Sequence, residues 1–126
     1  MIRVGDRASL TRAFGPQDVS GFSVLADMRP DDDTGLSGMV PEPLVGALFS
    51  CLLGTRLPGP GTGWLKQSLH HHAPAQLRER LTATVEVVRL RPDKRLVDLA
   101  CTCHGAEGRL ICAGRALMLL GPSTVD

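Results

Sequence analysis

The chain has 126 residues, 14 Lys and Arg against 13 Asp and Glu, and only 3% aromatic residues, none of them Tyr. That length suits a single domain, 1–126, with room for a core, while the balanced charge and scarce aromatics exclude the basic stripe and stacking platform of a nucleic-acid binder. The start, Met1-Ile-Arg-Val-Gly-Asp6, lacks the apolar run of about 7–15 residues that marks a signal peptide, so a cytoplasmic protein with Cys51, Cys101, Cys103 and Cys112 as thiols is expected.

Residues 8–14 alternate loosely and predict an edge strand, ended by Gly15-Pro16. Pro16 suits the start of a short helix carrying Val19, Phe22, Val24 and Leu25. The helix is expected to stop near Asp27, because Pro30 disfavours helical geometry in the residue before it. Segment 27–38 is acidic and punctuated by glycine, hence a loop.

The next stretch, Pro41-Glu-Pro-Leu-Val-Gly-Ala-Leu-Phe-Ser-Cys-Leu-Leu-Gly54, organises the chain. Leu44, Val45, Leu48, Phe49, Leu52 and Leu53 recur at steps of one, three and four, the spacing of a helical face. Pro43 fits the first turn of that helix, and Gly54 fits a left-handed residue that ends it. Small residues, Gly46, Ala47, Ser50 and Cys51, fill the rest of the circumference, so the helix is expected to be covered on nearly all sides. At about 14 residues it is too short to cross a bilayer, which takes about 20, and no membrane partner is expected.

The period then changes. Arg56-Leu-Pro-Gly-Pro-Gly-Thr-Gly63 marks a long irregular turn, and four strand-like runs follow. Residues 64–73 form the first, closed by Pro74. Residues 80–90 form the second, with Leu81, Ala83, Val85 and Val87 facing one way and Thr82, Thr84 and Glu86 the other. A turn at Arg91-Pro-Asp-Lys94 leads to a third run whose Val97, Leu99, Cys101 and Cys103 share a face, and Gly105-Ala-Glu-Gly108 turns into a last strand over 110–120. One apolar helix followed by successive hairpins predicts an α+β fold, an antiparallel sheet curled over a central helix.

That order, with Val4-Gly-Asp6 in front, Phe14-Gly15 before the short helix, the Gly46 to Gly54 run, Leu65-Lys-Gln-Ser-Leu69 and the Thr82-Ala-Thr-Val-Glu-Val87 strand, resembles the MaoC-like (R)-specific enoyl-CoA hydratases over almost the entire chain. The resemblance implies a hotdog fold and a homodimer whose sheets join. It also implies acyl-thioester substrates carried on coenzyme A or acyl carrier protein, with no further cofactor. The hydratases carry a loop motif Asp-x-Asn-Pro-x-His, whose Asp and His hold a water and exchange protons with it and with the alkene carbon. The matching run here is Asp27-Met-Arg-Pro-Asp-Asp32: Asp27 and Pro30 are kept, Asn becomes Arg29 and His becomes Asp32. Roughly ten residues that usually separate the motif from the helix are mostly missing. The His-Gly before the helix is replaced by Pro41-Glu42, whose Glu42 still offers a backbone N–H to a developing oxyanion.

Candidate catalytic residues are therefore Asp27, Asp32 and Glu42. Asp27 and Asp32 facing each other in an apolar cleft would split their pKa values and make an acid–base pair without histidine; as solvated loop residues they would do nothing. Glu42 either favours the helix dipole or serves as base or nucleophile against a thioester carbonyl. Gly46 and Ser50 leave room for an acyl chain or simply allow close packing, and Trp64, Lys66 and Gln67 border the acyl and pantetheine channel that the resemblance implies, where Lys66 or Arg56 would meet a phosphate. The run His70-His71-His72 puts His70 and His72 on one strand face, but neither it nor Cys101-Thr-Cys103-His104 has the pairing of a structural zinc site, and no metal is expected. Three functions stay open: an acyl-thioester hydratase or dehydratase with an altered site, a thioesterase using Glu42, or a subunit that kept the fold and lost the chemistry.

Overall fold

The computed structural model describes residues 2–25 and 38–121, the last four of the first span as backbone only. The elements run β1 (Arg7–Arg12), α1 (Pro16–Leu25), β2 (Met39–Val40), α2 (Glu42–Thr55), β3 (Gly63–His71), β4 (Ala75–Gln76), β5 (Leu81–Arg91), β6 (Leu96–His104) and β7 (Leu110–Leu119). The predicted edge strand, both helices and all four later strands are present. The expected stop of the first helix near Asp27 lies outside the described residues.

Five strands form one sheet in the order β1-β5-β6-β7-β3, and every neighbouring pair is antiparallel. Hairpins alone generate β5-β6-β7, while β1 and β3 close the two edges. On β5 the sequence alternation is realised without exception: Leu81, Ala83, Val85 and Val87 are fully buried, facing the helix. Val97, Leu99, Cys101 and Cys103 of β6 continue that inner face. Helix α2 lies against β5 and β1 and inserts Val45, Leu48, Phe49, Leu52 and Leu53 into the core. These five occupy one face at steps of three and four, so their burial supplies the hydrophobic stabilisation that a helix of this length needs.

Three expectations are corrected. First, α2 is not covered all round: Pro43, Ala47, Ser50 and Cys51 are exposed, because the sheet reaches only the side that carries the large apolar residues. Second, Gly54 does not end the helix, which continues through Thr55. The first left-handed glycine after it is Gly59, at φ +94°, with its N–H donating to the Leu53 carbonyl at 3.0 Å. The Gly54 position is still helical, and the Pro-Gly turn carries the reversal. Third, the strand run expected over 64–73 ends at His71, and past Pro74 a small second sheet pairs β2 with β4, matching Val40 to Ala75. It clamps the entry of α2 to the segment that follows β3.

Candidate active site

The N-terminus of α2 meets the C-terminal end of β3. Pro43 has no N–H, and the N–H groups of Leu44 and Val45 both donate to the Pro41 carbonyl, at 3.0 and 3.4 Å. Among the described residues the Glu42 amide has no backbone acceptor, and it lies at the positive end of the helix. Its carboxylate reaches across to β3, where Oε2 lies 3.5 Å from Nδ1 of His71. Glu42 and His71 both line a cavity of about 420 Å³ whose apolar wall includes Val40, Val45, Ala73 and Ile111.

The strand register explains why His71 points inward. Directly opposed residues share a face of a sheet. Gln67, Leu69 and His71 oppose Ala116, Gly114 and Cys112 of β7, and Ala116 and Cys112 are fully buried. His70 opposes Ala113 and faces the other way. The expected pairing of His70 with His72 is therefore corrected: the strand ends at His71, and His72 turns into the same cavity as His71. The signal for His71 was present in its parity with Leu69, yet the partner lies on another element and no local pattern names it.

A second crossing point lies one turn along α2. A Cβ placed on Gly46 would meet Cδ1 of Leu69 at 3.7 Å. Glu42 thus meets His71 and Gly46 meets Leu69 where the start of α2 passes β3. Ser50 is exposed, and Trp64 is 42% exposed at the start of β3. The Nε2 of Gln67 is buried with no hydrogen-bond partner among the described residues.

Lys66 stands apart from the Glu42 cavity. It lines a separate cavity of about 330 Å³ on the outer sheet face, together with Ser68, Asp98 and Arg115. Arg56 is occupied elsewhere, donating to the Ser9 carbonyl at 2.6 Å. A third cavity, about 450 Å³, opens between β1, α1 and α2, but its charged side chains, Arg12 and Asp18, are bonded to each other at 2.8 Å. Asp27 and Asp32 lie outside the described residues.

Neighbouring thiols are inert. Burial pushes Cys101 up to about 12 and Cys103 up to about 11. Burial, assisted by the nearby Glu42 charge, also raises Cys112, which sits opposite His71. A protonated, buried thiol is a poor nucleophile. Among the described residues, no three His, Cys, Asp or Glu side chains gather in a way that would hold a metal.

A five-stranded antiparallel sheet folded around one central helix, with a cavity at the start of that helix, defines a hotdog-fold protein. No protein-family model matches the chain. It is 34% identical over 128 residues to an (R)-specific enoyl-CoA hydratase of Aeromonas caviae, an alignment covering 94% of this chain and 96% of that one. It is 41% identical over 126 residues to a 3-hydroxybutyryl-CoA dehydratase of Methylorubrum extorquens, covering 93% and 80%. The solved structure of an (R)-hydratase from A. caviae involved in PHA biosynthesis superposes with a TM-score of 0.85 at 33% identity, over 94% of this chain and 97% of that one. The chain belongs to the (R)-specific enoyl-CoA hydratase family.

Proposed function

We propose that this protein adds water to, or removes it from, an acyl thioester carried on coenzyme A or acyl carrier protein, through an active site altered from that of its relatives and serving a specialised acyl substrate. The observation that carries the reading is the cavity at the first turn of α2, apolar on one side and bounded by Glu42 and His71 on the other. An acyl chain suits the apolar wall, and a thioester oxygen suits the Glu42 amide at the helix terminus. Gly46, Ser50, Gln67 and Trp64 are proposed to border the path of the acyl and pantetheine chain. Lys66, on the outer face, is left for the phosphate end of the carrier. Asp27, in the position of the family's catalytic carboxylate, and Asp32 complete the proposed acid–base set with Glu42. No cofactor beyond the carrier is required by this chemistry.

A homodimer goes with this reading. Strand β3 is an open sheet edge bearing Leu65, 53% exposed, next to Trp64, and an exposed apolar edge is a template for pairing. Among the described residues no helix is long and apolar enough to cross a membrane, which accords with a proposed cytoplasmic enzyme.

Hydrolysis is the second reading, favoured by the Glu42 carboxylate at the cavity rim, which would activate water against the thioester carbonyl or attack it directly. Incubation of the purified protein with crotonyl-CoA separates the readings. Loss of the alkene absorbance without release of free thiol is expected. Thiol release at the rate of substrate loss would establish the thioesterase, and no change in either signal would leave a subunit that has lost the chemistry.

A further inference from the structure

Moving water across the C2–C3 bond of an enoyl thioester requires a group that exchanges a proton with C2 and with the attacking water. Imidazole both accepts and donates near neutral pH, and carboxylates alone do so less readily. In this chain the position where the hydratase motif carries His is occupied by Asp32, so the loop offers carboxylates only. Strand β3 brings imidazoles to the cavity instead.

His71 and His72 both line that cavity. His71 is the better placed, because its side chain is only 23% exposed and its Nδ1 stands 3.5 Å from Oε2 of Glu42, the first residue of α2. A carboxylate beside one ring nitrogen favours the protonated ring and leaves the other nitrogen available. Three titratable groups surround His71 among the described residues. Glu42 faces it from α2, Cys112 opposes it from β7 and stays a thiol, and His72 follows it in the chain.

We infer that Glu42 and His71 form the acid–base pair of this site, with the strand imidazole taking over from the one missing in the loop. The inference rests on the reading of the chain as an acyl-thioester hydratase or dehydratase. In the hydration direction, Nε2 of His71 removes a proton from water while the water oxygen bonds to C3. The C2–C3 π pair moves onto C2 and is shared with the thioester oxygen beside the Glu42 amide. The imidazolium, stabilised by the Glu42 carboxylate, then gives its proton to C2, and the pair returns to its starting state. Dehydration is the reverse, with one water consumed or released and no change in oxidation state overall.

The test compares the wild type with His71→Gln, Glu42→Gln and the double variant on crotonyl-CoA, with His71→Phe carried in parallel to fill the same volume should the glutamine variant fold poorly. Thermal melting qualifies each protein, and kcat, KM and the pH–rate profile are measured. Each His71 variant is expected to lower kcat by about 100-fold or more, with KM within about threefold, and the double variant to be about as slow as the slower single one. One limb of the wild-type pH profile should vanish with His71. A wild type that hydrates crotonyl-CoA, beside folded His71 variants with unchanged kcat and pH profile, overturns the pair and leaves the hydratase reading standing on Asp27 and Asp32. A wild type with no hydratase activity overturns both.

Discussion

The carboxylate of Glu42, in the first turn of α2, stands 3.5 Å from the imidazole of His71, at the end of β3. Glu42 is 63% exposed at its side chain, so solvent screens most of the attraction. Glu42→Gln is expected to change unfolding free energy by less than about 1 kcal/mol, measured by urea denaturation. A loss of turnover in that variant then reports on chemistry and not on folding.

Glu79 behaves differently, being only 5% exposed at its side chain. Burial alone would raise its pKa. The Arg109 side-chain bond, backbone bonds from Gln76 and Ala106, and the Arg109 charge together outweigh burial and hold it below the ordinary value. A lowered folded-state pKa means that the stabilisation is present above the usual Glu range and is lost as pH falls through the lowered value. Glu79→Gln is expected to cost about 1–3 kcal/mol at pH 7, and the gap from wild type to shrink below about pH 4. Urea midpoints taken across that pH range check both statements.

Gly114 of β7 passes directly against the backbone of Ser68 and Leu69 on β3, where a Cβ would overlap the Ser68 carbonyl. Backbone cannot swing aside as a side chain does. Gly114→Ala is expected to destabilise the chain by about 1–3 kcal/mol in thermal unfolding, with the loss centred on the β3–β7 pairing. Hydrogen exchange should show the amides of β3 opening first.

The thiols should divide sharply. Cys51 lies on the open face of α2, whereas Cys101 and Cys103 are buried and pushed up to about 12 and about 11. A thiol-reactive dye is expected to label one cysteine fast and the buried ones at least about 100-fold more slowly, in proportion to their thiolate content and access. Cys51→Ser should remove the fast phase.

Much of this architecture was legible from residue spacing. Val45, Leu48, Phe49, Leu52 and Leu53 announce a helix because helical period sets which residues meet a core, and Leu81, Ala83, Val85 and Val87 announce a half-buried strand for the same reason. The two-residue strands Met39–Val40 and Ala75–Gln76 carry too few residues to show a period. The open side of α2 was not foreseen either, since Ala47, Ser50 and Cys51 are equally compatible with close packing and with solvent. Family resemblance drew attention to Glu42 but not to His71, because their meeting depends on how the strand crosses the helix. Asp27 and Asp32 rest on sequence alone.

The central claim is that an acyl thioester seats at the start of α2. Titration of the isotope-labelled protein with butyryl-CoA, a saturated thioester that cannot be hydrated, tests this by mapping amide chemical shifts. The amides of Glu42, His71, Ala73 and Ile111 are expected to move together and saturate. Shifts confined to Leu10, Gln17 and Ala47, around the cavity between β1, α1 and α2, would contradict it.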